Sequence, residues 1–223
     1  MSTVPLAALV QEITAISPAA HLVRLLAVSK LQPAGAIAAL AGQGQRAFGE
    51  NYVQEAAAKV QALAPLGLEW HLIGHLQSNK AELAARTFDW VQTVDRPKLV
   101  TALARHRPAG RPPLNVLIQV NIDDEDSKHG CSPDAVQALA AAIAREPMLC
   151  LRGLMTIPAP HPEAERRRAA FARMRELFDA LAGRYPQVDT LSMGMSGDFA
   201  LAIAEGATMV RVGTALFGPR PSP

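Results

Sequence analysis

The chain has 223 residues, 49% hydrophobic and 19% charged, with a formal net charge of +2. That length suits one α/β barrel, and the apolar fraction is enough for a sizeable core. The near-neutral balance, without a basic stripe interleaved with aromatics, argues against a general nucleic-acid binder, and no uncharged apolar segment approaches membrane-spanning length.

The first residues, Met-Ser-Thr-Val-Pro, show no basic region followed by an apolar stretch, so no signal peptide is read there. Cys131 and Cys150 lack metal-ligand spacing and the six histidines contain no HExxH pair, so a reduced, cytoplasmic protein without a metal site is expected. The densest basic cluster, Arg166, Arg167 and Arg168 with Arg173 and Arg175, is studded with Glu163, Glu165 and Glu176 and reads as a solvated helix face.

In chain order, a leading helix around Leu6–Ile16 precedes an alternation of short apolar runs and alanine-rich stretches of helical period. The runs predict strands at Arg24–Lys30, Ala47–Glu50, Glu69–His75, Trp90–Val94, Leu114–Ile122, Leu151–Pro158, Thr190–Ser196 and Met209–Gly213. The stretches between predict helices at Ala34–Ala41, Tyr52–Ala64, Ala81–Arg86, Leu99–His106, Pro133–Arg145, Glu163–Arg184 and Asp198–Glu205. Ser132-Pro133-Asp134 reads as a capping hydroxyl, a proline at N1 and an acid in the first turn. Eight strands alternating with helices predict a parallel sheet closed into a (β/α)8 TIM barrel, one domain spanning residues 1–223. An open doubly wound sheet is the alternative, but no GxGxxG opens a helix after any strand.

Function in a barrel collects at the C-terminal strand ends. Lys30 closes the first run, and alternation would place it on one face with Leu26 and Val28. Of the five lysines, the others (Lys59, Lys80, Lys98 and Lys128) sit in polar, helical or loop-like contexts. Desolvation lowers a lysine's pKa, and a neutral amine can attack an aldehyde. A lysine at a strand end can equally snorkel to water, and Lys30 alone does not separate the two readings. Arg211 is the second unusual residue, a guanidinium inside Met-Val-Arg-Val-Gly that cannot discharge itself. Strands one and eight are neighbours in a closed barrel, so Lys30 and Arg211 should share a mouth and call for an anion. Pairing of Arg211 with Glu50 or Asp198 would be the structural alternative. Ser196-Gly197-Asp198 and Gly213-Thr214 follow strands seven and eight, where barrels bind phosphate through backbone N–H groups and hydroxyls. His75 could stack on a ring, while His71 reads as a satisfied core histidine. Asn51 could orient a ligand edge or cap a helix.

Seven segments carry a family resemblance. Ala27-Val-Ser-Lys30, Phe48-Gly-Glu-Asn-Tyr-Val-Gln-Glu55, His71-Leu-Ile-Gly-His-Leu-Gln-Ser-Asn-Lys80 and Asp126-Ser-Lys-His-Gly130 resemble the YggS-type pyridoxal phosphate homeostasis proteins. So do Gly153-Leu-Met-Thr-Ile-Pro158, Leu191-Ser-Met-Gly-Met-Ser196 and Val210-Arg-Val-Gly-Thr-Ala-Leu-Phe-Gly218. The resemblance implies a barrel of the alanine racemase N-terminal type holding pyridoxal 5′-phosphate (PLP). It implies a Schiff base on Lys30 and phosphate contacts from Ser196, Gly213 and Thr214, with a backbone role for Gly197. Arg211 would face the pyridine nitrogen, and Asn51 and His75 would neighbour the ring. Gly197 stands where many members carry another residue, often acidic.

The implied role is a carrier of PLP in vitamin B6 homeostasis, a monomer that buffers the cofactor or delivers it to apo PLP-enzymes. A PLP-dependent racemase is the competing reading. It needs a base on each face of the substrate carbon. In bilobal racemases the second base is a tyrosine from a further domain, which this chain is too short to contain, and Tyr52 and Tyr185 are no obvious substitutes. A class I aldolase-like lysine is a third reading, disfavoured by Arg211.

Overall fold

The computed structural model describes residues 4–18, 22–123, 129–159 and 161–218. After α1 (Leu6–Ile16), strand and helix alternate as β1 (Arg24–Val28), α2 (Ala34–Gly42), β2 (Ala47–Glu50), α3 (Val53–Ala62), β3 (Glu69–Leu72), α4 (Ala81–Thr87), β4 (Trp90–Val94) and α5 (Pro97–His106). The second half runs β5 (Leu114–Gln119), α6 (Val136–Ala144), β6 (Leu149–Met155), α7 (Ala164–Ala182), β7 (Thr190–Met195), α8 (Phe199–Ala204), β8 (Met209–Val212) and α9 (Thr214–Phe217). All eight strands pair in parallel in sequence order, and β8 closes against β1, pairing Leu26 with Arg211. This is the expected closed (β/α)8 barrel.

Alternation along the strands separates two apolar layers. Leu26, Ala47, Ile73 and Met209 pack together, with Val28 against them, while Trp90, Leu117 and Met155 form a second cluster. Ala27, Phe48, Leu72 and Val91 belong instead to the large core shared with the helices. On α7 the buried residues Phe171, Met174, Phe178 and Leu181 recur at helical spacing and form the stripe that packs on the sheet. Each such side chain contributes roughly 1.5–3 kcal/mol of burial. Helix-terminal chemistry matters less than expected. Ser132 holds the N-cap position with Pro133 and Asp134 in the first turn as expected, but it makes no side-chain capping bond, and the turn they open, Pro133–Ala135, is a 3-10 turn ahead of α6.

Apart from β2 and β4, which keep their predicted bounds, the strands end sooner than their predicted runs. β1 stops at Val28 and β3 at Leu72, so Lys30 and His75 lie beyond the ladder. The sheet needs only the hydrogen-bonded part of each run, and the apolar remainder is buried under the loops instead: Ile73 and Ile122 are 8% and 2% exposed. No helix among the described residues is long and apolar enough to cross a membrane.

Candidate functional site

Lys30, Ser196, Gly197, Arg211, Gly213 and Thr214 line one cavity of about 240 Å3 at the C-terminal mouth. Strand alternation does not place Lys30, because β1 has already ended. The chain turns at Ser29, whose amide still donates to Gly49 O across the sheet (2.9 Å), and Lys30 follows half-buried. Asn51 and His75 line a separate cavity of about 320 Å3 with Tyr52, Gly74 and Lys80. The eight sequence-predicted residues are therefore divided six and two.

Asn51 does not cap α3; Tyr52 holds that position without a side-chain bond. The Asn51 backbone lies so close to Gly74 that a Cβ there would come within 2.2 Å of the Asn51 carbonyl oxygen. His75 stacks on His129, ring centroids 3.7 Å apart, with Asp95 at 3.9 Å. Partial burial and the neighbouring His129 lower its pKa.

Arg211 is 3% exposed. Its Nη1 donates to Ser192 Oγ (2.8 Å) and its Nη2 to Thr156 O (2.7 Å). Among the described residues no carboxylate pairs with it. Glu50 is engaged elsewhere, and Asp198 Oδ1 accepts the Met195 amide at 2.6 Å. Burial lowers the guanidinium pKa to about 10, so it is still a cation at neutral pH. The alternative pairing with Glu50 or Asp198 is thus not found, and neutral oxygens hold the guanidinium. Ser192 passes the polarity inward by donating to Gln92 Oε1 (2.7 Å), and Gln92 Nε2 donates to His71 Nδ1 (2.9 Å). His71 Nε2 donates to Glu69 Oε1 (2.8 Å), which also accepts from Arg24 at 2.5 Å. A file of directed hydrogen bonds therefore threads the barrel interior from Arg211 to Arg24. His71 is fully buried and stacked on Trp90, a satisfied core histidine, with its pKa lowered chiefly by burial.

The loops that follow β7 and β8 are built differently. At the end of β7, Gly194 has φ +91, and a Cβ there would lie 2.6 Å from Ala202 Cβ, so glycine is required. The loop beyond is closed by the Met195 amide bond to Asp198 and by Asp198 N to Met195 O (3.0 Å), leaving Ser196 and Gly197 exposed. Among the described residues, Ser196 and Gly197 amides donate to no backbone carbonyl. A Cβ on Gly197 would meet nothing within 4 Å, so packing does not demand glycine there, whereas one on Gly213 would approach Val28 O at 3.1 Å. Gly213 O accepts from Leu216 N and Phe217 N, opening α9 and leaving the Thr214 side chain exposed.

Sequence reasoning missed Lys59. Although it lies on a helix, it is 8% exposed and more buried than Lys30. Its ammonium donates to Glu50 Oε1 (2.8 Å), Glu55 Oε1 (2.6 Å) and Ser29 O (2.9 Å). Ser29 Oγ also donates to Glu50 Oε1 (2.6 Å), and Leu31 N donates to Glu55 Oε1 (2.8 Å). Glu50 is fully buried, its Oε2 has no hydrogen-bond partner among the described residues, and burial raises its pKa against the opposing pull of Lys59 and Ser29. The signal was legible: Val53, Ala56 and Lys59 recur every three residues on the buried face of α3.

A family model of the alanine racemase N-terminal domain matches residues 4–221. The chain belongs to this family. It is 55% identical over 201 residues to a protein of Escherichia coli strain K12 named pyridoxal phosphate homeostasis protein, covering 89% of this chain and 86% of that one. A Vibrio cholerae protein of the same name is 54% identical over 202 residues, with the same shares covered. Among solved structures, PipY of Synechococcus elongatus with PLP bound is 38% identical at a TM-score of 0.84, covering 96% of this chain and all of that one. An alanine racemase of Corynebacterium glutamicum is 21% identical at a TM-score of 0.67, covering 99% of this chain and 63% of that one, and shares the fold.

Proposed function

We propose that this protein binds PLP and serves in its homeostasis, holding the cofactor covalently on Lys30 and releasing it without turning over a substrate. The observation that carries the reading is the single cavity uniting an amine, a buried guanidinium without a carboxylate and two loops of exposed donors. These residues fit the group. Among the described residues the Ser196 and Thr214 hydroxyls bond to no protein atom, which leaves them available to a phosphate. PLP supplies an electrophilic aldehyde and an electron-withdrawing ring when bound. Lys30 would hold the aldehyde carbon, Ser196, Gly197, Gly213 and Thr214 the phosphate, and Arg211 the pyridine nitrogen. Asn51 and His75, across the mouth, would bound the ring's outer side.

Relatives more than half identical carry the homeostasis name, and PipY holds PLP, which supports the assignment. The absence of turnover is supported by the tyrosines. Tyr52 lines the other cavity and Tyr185 packs against the main core, so neither stands opposite Lys30 as a second base. A cytoplasmic monomer of one barrel domain that delivers PLP to apo-enzymes completes the proposal.

Borohydride reduction of the PLP-loaded protein and peptide mapping test it. The pyridoxyl group is expected on Lys30. Labelling mainly at Lys80, on the second cavity, or at Lys128, outside the described residues, would sink the assignment.

A further inference from the structure

Leu31 has φ +63, the one non-glycine residue with positive φ among the described residues. A branched, half-exposed leucine gains nothing from that conformation by itself. Such backbone persists only where the surroundings dictate it. Here they do, through Glu55, whose carboxylate accepts the Leu31 amide from α3, and through Gln32 N to Ser29 O at 3.0 Å. On the other side of Lys30, Ser29 is bound by its amide, its carbonyl and its hydroxyl, the last two through Lys59 and Glu50. All three protons of the Lys59 ammonium are committed to this one turn and its two flanking carboxylates. The residues before and after Lys30 are thus pinned from β2 and α3, elements that contribute nothing to the cavity lined by Lys30 and Arg211.

We propose that Lys59, with Glu50 and Glu55, is a positioning assembly for Lys30. It fixes the Ser29–Leu31 turn in the strained conformation that delivers the Lys30 amine to the Arg211 cavity. A buried ion cluster is a poor source of stability compared with apolar residues of similar size, but it specifies one geometry. The assembly acts through Lys30 and touches no ligand itself. The inference rests on the reading that Lys30 carries PLP.

The test compares PLP with pyridoxine 5′-phosphate, which keeps the ring and phosphate but has an alcohol in place of the aldehyde. Only PLP can use the Lys30 amine. In Glu55→Met, PLP affinity should fall about tenfold while pyridoxine 5′-phosphate affinity holds within about twofold. Glu55→Gln keeps an oxygen for Leu31 N and should recover most of the loss. The double variant Lys59→Met, Glu50→Gln removes both buried charges together, so neither is left buried without its partner, and should show the same one-sided loss. Equal losses for both ligands, or no loss for either, would overturn the proposal. If the wild-type protein forms the Lys30 adduct and the variants still bind PLP as it does, the positioning role alone fails. If the wild-type protein forms no Lys30 adduct, the reading of Lys30 fails and this role falls with it.

Discussion

A threonine hydroxyl can be removed with little change of shape, which makes Thr214 the cleanest single-residue probe of the cavity. Thr214→Val would delete one of the proposed donors to the phosphate, and a charge-assisted hydrogen bond is worth roughly 1.5–3 kcal/mol. PLP affinity should therefore fall at least about tenfold while affinity for unphosphorylated pyridoxal hardly moves. Equal losses in titrations of the two ligands would mean that the phosphate lies elsewhere. Arg211 bears on turnover in a different way. In the proposed placement, a guanidinium that stays cationic could not accept the ring nitrogen's proton and would disfavour a positive charge beside it, which would weaken the ring as an electron sink. The loaded protein, kept with L-alanine in deuterated water, should incorporate deuterium at Cα no faster than background. Fast, Lys30-dependent incorporation with loss of chirality would make the protein a racemase.

Among the elements, β7 shows most directly how the fold dictates a loop. Gly194 combines positive φ with the body of α8 against its missing side chain. Gly194→Ala should cost about 2–4 kcal/mol in urea unfolding, from overpacking and backbone strain together. A loss below about 0.5 kcal/mol would mean that the end of β7 yields freely. The strands and helices themselves were legible because strands buried on both faces read as short apolar runs while helices carry period 3.6, and α1 has the limits its periodicity gave. The ends were not. Hydrophobicity continues past Leu72 and Gln119, through Ile73, Val120 and Ile122, because loops at the mouth are buried too, so an apolar run overstates a strand. Lys30 and Arg211 were found through their residue types in apolar surroundings. The neutral partners of Arg211 were not, since Ser192 and Thr156 are unremarkable in sequence and come near it only when β6, β7 and β8 stand side by side.

At the scale of the whole molecule, the file of hydrogen bonds from Arg211 to Arg24 makes stability depend on one imidazole. His71 accepts from Gln92 on one nitrogen and donates to Glu69 on the other, so a second ring proton would oppose the Gln92 amide as well as the buried setting. In the unfolded chain a histidine takes up a proton near pH 6.5, whereas folded His71 resists it to lower pH. Unfolding is then linked to proton uptake, and stability falls as pH drops through that range. His71→Gln should be less stable near neutrality but lose less between about pH 7.5 and about pH 5.5 in urea titrations. An identical drop in both proteins would remove His71 from the account. The seam between β1 and β8 has a consequence in time. Lys30 is made just after β1, but the guanidinium and loop that complete its cavity belong to residues 211–214, on and after β8 and behind every other strand of the barrel. A nascent chain can fold its first helices and strands with the amine exposed, yet it has nowhere to seat a cofactor until the final strand docks. On the proposed placement, loading would therefore wait for the finished barrel, and a ligand spanning that seam would fasten β1 to β8.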